Sequence, residues 1–171
     1  MIVIYFMIKP VKVFNAMNND LVKSALTGVI GTSVMSLFSI ITSENKNKQF
    51  KEHEILSMLL KSFPLNKSNR VALGWILHYA TGMSFSILNQ KILKKLETSP
   101  TFFNGVLLGA VNGTIGIAIW KAIFEIHPSP PNINLKRYLA HLMIAHIVFA
   151  ALSNVTMKGV SKKPTPQLST I

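Results

Sequence analysis

The chain has no cysteine, which excludes disulfides, iron–sulfur clusters and thiolate metal sites and leaves histidine as the soft ligand. Acidic residues are scarce, six against eighteen Lys and Arg. They fall mostly between apolar runs and offer no paired acid and base. Arginine occurs twice, as Arg70 and Arg137. The net charge of +12 therefore comes without the guanidinium forks and interleaved aromatics that read nucleic acid, and no nucleic-acid partner is expected. GxSxG, GxxxxGK[ST], HExxH and GxGxxG are all missing. No catalytic residue is nominated, and the chain is read as more a non-enzyme than an enzyme.

Charge is also missing from four long stretches: Ser24 to Ser43, Val71 to Gln90, Thr98 to Trp120 and Tyr138 to Met157. Each matches the roughly 20 apolar residues that carry an α-helix across about 30 Å of hydrocarbon. Buried helices of a soluble bundle normally keep a charged outer face, and these have none. The expected fold is all-α, a polytopic membrane protein built as a four-transmembrane-helix bundle, with spans at about 24–43, 71–90, 101–123 and 138–157. The lipid bilayer is the first partner expected, and the Lys-rich segments between spans face anionic headgroups.

Glycine marks how the spans should pack. Gly105, Gly109 and Gly113 stack on one face of the third span and clear it for close helix approach. Gly28, Thr32 and Ser36 do the same on the first, which is the expected partner of the glycine helix. The third span is accordingly expected at the centre of the bundle.

Residues 1–23 read as an N-terminal extension, interfacial or preceding the true start at Met17. Phe50 to Phe63 is amphipathic, with Ile55, Leu56, Leu59, Leu60 and Phe63 on one side and Lys51, Glu52, Glu54 and Lys61 on the other. It is expected to lie in the headgroup region between the first two spans. Residues 158–171 read as a disordered polar tail. Four spans place this amphipathic helix and the HPSPPN loop on one side, where Trp75, Trp120 and Tyr138 would form an interfacial belt. Lys and Arg divide evenly between the two sides and leave the orientation open.

On the belt side His78 and His146 reach the same depth, in the second and fourth spans, with His141 nearer the surface. His141 and His146 are five residues apart, about 140° around a helix, so at most one can face His78. Three readings stay open. The histidines pack helices together by hydrogen bonding, as Asn112 and Asn154 are expected to do. Alternatively they ligate a haem or a divalent metal, with Gly74 and Gly82, otherwise read as a helix-packing face of the second span, making room around His78. In the third reading they line a proton or small-solute pathway.

The order GxxGTxxMxxF from Gly28 to Phe38, an amphipathic loop helix, GWxxHYxxG from Gly74 to Gly82, a glycine-rich third span and a histidine-bearing fourth resembles small four-helix bacterial inner-membrane proteins grouped as domains of unknown function. The likeness covers about residues 20 to 158. It implies a multi-pass protein of the inner (cytoplasmic) membrane and supplies no catalytic residues. The function expected is structural or accessory within the membrane, as a homo-oligomer or beside a membrane partner subunit. A histidine-ligated metal or haem protein, or a pathway subunit, is the alternative.

Overall fold

The structure, a computed structural model, describes residues 20–46 and 49–161. Among these, regular structure is entirely helical. The elements are α1 (Asp20–Lys46), α2 (Glu52–Leu59) continued by a 3-10 turn (Leu60–Ser62), α3 (Lys67–Lys95), α4 (Phe102–Ile126) and α5 (Leu135–Ser161). α1, α3, α4 and α5 are each long and apolar enough to cross a membrane. They outrun the uncharged stretches because charges suit helix ends: Asp20 opens α1, and Lys94 and Lys95 close α3, each complementing the local dipole. For the same reason α5 continues through Lys158 to Ser161, into the segment expected to be a tail. The remaining tail and the N-terminal extension before Asp20 lie outside the described residues.

Local signals set the boundaries. The Asn66 carboxamide accepts from Asn69 N and caps α3, and the Thr101 hydroxyl accepts from Asn104 N and caps α4. α3 ends in a tight return in which Thr98 N donates to Leu93 O, with Glu97 left-handed at φ 53°. α4 stops at His127, before Pro128.

The helices pack in the order α3, α1, α5, α4, with α2 laid across α3. The central helix is α5, where Leu142, Ala145 and Ala150 are completely buried. The glycine helix α4 is peripheral and makes its extensive contact with α5 alone, which corrects the expected central third span. Its glycine face still sets that contact: a Cβ built on Gly105 would lie 2.6 Å from Ala151 Cα, and one on Gly109 2.5 Å from Ile147 Cα. Ala150 and Ala151 supply the matching small surface, so the partner is the fourth span and not the first. The small face of α1 is used elsewhere. A Cβ on Gly28 would meet Met83 Cα of α3 at 2.8 Å, Gly82 would collide with Thr32 Oγ1, and Gly31 seats Phe149 of α5.

Polarity runs inside out. Among the described residues, 17 buried side chains are polar or charged against 14 buried hydrophobic ones, while 21 large hydrophobics are exposed. Water-soluble domains bury the opposite mixture. The exposed set includes Phe103, Leu107, Val111, Ile115 and Ile119, an apolar stripe at every fourth residue of α4.

Candidate functional site: a buried histidine cluster and its cleft

The polar interior is concentrated where α2 covers the bundle. α2 crosses α3 at Gly74, where a Cβ would strike the His53 carbonyl oxygen. That close approach tucks α2 inward, so Glu52 and His53 are buried at 2% and 7% exposure. The sequence placed Glu52 on the outward polar side. It instead faces the bundle, because Ser39 of α1 offers its carboxyl a hydrogen bond at 3.1 Å. Burial pushes the Glu52 carboxyl up to about 8 and holds the His53 imidazole below its ordinary range, so both are mainly neutral at pH 7.

Ser39 links two elements. Its hydroxyl donates to Glu52 Oε1, and His141 Nε2 lies 2.9 Å from Ser39 Oγ itself. A hydroxyl carries one proton, so His141 donates through Nε2. The His141 ring is stacked between Phe38 and Phe50, with centroids at 5.1 and 4.4 Å. His78 Nε2 sits 2.9 Å from Ser36 Oγ. His146 donates from Nδ1 to Leu142 O at 2.9 Å and stands edge-on to Phe85. The expected aromatic belt is not one: Tyr138 and Trp120 are buried and meet edge to face at 5.2 Å, while Trp75 stacks on His53 at 3.7 Å. These rings fill the space under α2.

His78 and His146 line one cavity of about 160 Å³ between α3 and α4, together with Glu52, Thr32 and Trp120. His141 is turned away from it to Ser39, as the 140° separation requires. Gly74 and Gly82 do not clear space for a ligand, since α2 fills the first gap and Thr32 the second. An apolar cavity of about 150 Å³ holds one benzene ring, so this one does not take a porphyrin without the helices parting. Among the described residues, no group of three His, Asp or Glu side chains is placed to hold a metal ion.

A second polar layer lies toward the other end. Ser86 hydrogen-bonds Thr27 at 3.1 Å and Ser153 at 2.9 Å, tying α3 to α1 and α5. Gln90 donates to Asn154 at 3.0 Å. Asn112 is buried with its Nδ2 unpartnered among the described residues. Ser39 and Glu52 were not nominated from sequence. The signal for Ser39 was present in the spacing of Ser36, Ser39 and Ser43 along one face of an apolar helix.

The fold and site define an all-helical bundle of four candidate membrane spans with a buried Glu–Ser–His cluster. No family model, no curated protein and no solved structure matches the chain.

Proposed function

We propose that this is a multi-pass protein of the inner (cytoplasmic) membrane with a structural or accessory role, its buried polar residues serving first to join the spans. The observation that carries this reading is the inside-out polarity: among the described residues, 17 buried polar side chains and 21 exposed large hydrophobics suit a bundle whose outer solvent is lipid. Lipid gives no hydrophobic drive for helices to associate, so small-residue contacts and interhelical hydrogen bonds must do it. His78–Ser36, Ser86–Ser153 and Gln90–Asn154 are bonds of that kind. The resemblance to small four-helix inner-membrane proteins of unknown function agrees with this assignment and adds no activity to it.

The test is membrane extraction followed by spectroscopy on the purified full chain. The protein is expected to stay with membranes through an alkaline carbonate wash, to be colourless in mild detergent, and to crosslink to a second copy or to a membrane partner. Release by carbonate would overturn the membrane assignment. A Soret band or stoichiometric metal that disappears in His78→Ala would replace the accessory role with a cofactor-binding one.

A further inference from the structure

The cleft between α3 and α4 contains hydrogen-bonding groups that packing leaves unused. Ser36 has no acceptor other than His78 Nε2 among the described residues, so its hydroxyl donates there and the His78 proton sits on Nδ1. His146 has its proton on Nδ1, bonded to Leu142 O, so its Nε2 is an acceptor; this atom lies beside Gly116 on the cleft wall. Glu52 Oε1 accepts from Ser39, and its Oε2 is buried with no partner among the described residues. That oxygen has no surface open to the cleft, so Glu52 closes the floor without presenting a donor. The lining thus presents one donor, from His78, and one acceptor, from His146.

Size and charge narrow what could use them. About 160 Å³ accommodates a single six-membered ring and is below the 300–1,000 Å³ of ordinary ligand pockets. The walls that would flank a ring are Phe85, Trp120, Phe149 and Leu142. Among the described residues no Lys or Arg lines the cavity, so a phosphate or carboxylate head would lose its hydration without a counter-charge. α3 and α4 make no extensive contact, and Thr81 and Ile119 are cleft-lining residues exposed on the outer surface. A tail attached to a bound ring could leave sideways between the two helices.

We propose that this cleft binds the dihydroxylated aromatic head of a tailed, lipid-soluble quinol. One ring oxygen accepts from His78, the other donates to His146 Nε2, and the tail passes Thr81 and Ile119 into the bilayer. The reduced head matches the lining better than the oxidised one, because a quinone has no hydroxyl to give His146. The proposal concerns binding alone and goes beyond the structural role above, which would stand if it failed.

The experiment is calorimetric titration of the full chain in mild detergent, under anaerobic conditions, with decylhydroquinone as probe. One saturable site is expected, with decylbenzene and the corresponding decylbenzoquinone at least about tenfold weaker because they lack donor hydroxyls. Thr81→Phe, a change at an exposed position on the cleft mouth, should abolish binding while leaving the melting temperature unchanged. His146→Leu should weaken the quinol at least about tenfold and leave decylbenzene unaffected. No saturable heat, equal affinity for decylbenzene, tighter binding of decanoic acid, or full binding by Thr81→Phe would each overturn the proposal.

Discussion

The glycine face of α4 can be tested with one methyl group. A Cβ on Gly109 would stand 2.5 Å from Ile147 Cα and 2.8 Å from His146 O, both backbone atoms that no rotamer change can move. Reaching ordinary contact distance requires α4 and α5 to part by roughly 1 Å, and forced overpacking of this kind costs about 1–3 kcal/mol. Alanine is a better helix former than glycine by about 1 kcal/mol, which opposes the loss. Gly159 separates the two effects, since it lies on α5 and a Cβ there meets nothing within 4 Å among the described residues. Gly159→Ala should therefore hold or slightly raise stability, while Gly109→Ala should lower it by up to about 2 kcal/mol net. For a chain of this size that corresponds to a melting temperature several degrees lower, at about 2–4 °C per kcal/mol. The assay is thermal unfolding of both variants in the same mild detergent, followed by far-UV circular dichroism. If Gly109→Ala melts at or above the wild type, α4 is not held by backbone contact with α5 and the packing argument is wrong.

Three further changes probe other parts of the chain. Glu52 is raised by burial from 4.5 to about 8, so the folded state holds its proton more tightly than the unfolded state; stability is then full below about pH 4.5 and is lost as pH rises toward 8. Glu52→Gln should remove that decline, and a variant whose stability falls between pH 5 and 8 as steeply as the wild type would disprove the buried neutral acid. Asn89 is buried with both amide atoms unpartnered among the described residues, so Asn89→Leu should raise stability by about 1–3 kcal/mol in detergent unfolding; a loss would mean the amide is paired in the native protein. Glu97 carries the left-handed turn after α3 at φ 53°, and Glu97→Gly should gain about 1 kcal/mol by relieving it, read as a higher melting temperature.

The four long helices were legible because absence of charge over about 20 residues is a one-dimensional property that needs no partner to be seen. Helix pairing was not. Glycine at every fourth position says that a face can be approached, but Gly105 and Gly109 do not name what approaches, and the complementary surface on α5 is Ala150 and Ala151 against Gly105 and the backbone of His146 and Ile147 against Gly109, which no motif singles out. His78 and His146 were found by depth alone, since an ionisable residue within an apolar run stands out. Glu52 was misplaced for a related reason. Amphipathic periodicity assigns sides on the assumption that charge faces out, whereas the crossing at Gly74 and the Ser39 hydroxyl turn this carboxyl in.

The distribution of small residues also explains why the cleft lies where it does. α3 and α4 are consecutive and joined by a short link, the usual condition for antiparallel neighbours to pack. They do not pack extensively here, because each has spent its small-residue faces on another helix. α3 gives Gly82 to Thr32 of α1 and Gly74 to α2, and α4 gives Gly105 and Gly109 to α5. What remains between them is large: Phe85 on α3, and Ile119, Trp120 and Ile123 on α4, side chains that hold two helix axes apart. The gap is thus a consequence of the tight contacts on either side of it. Its polar floor has the same origin, since Glu52 reaches it only because Gly74 lets α2 drop onto α3, and His146 faces it because Gly116 leaves the opposite wall without a side chain.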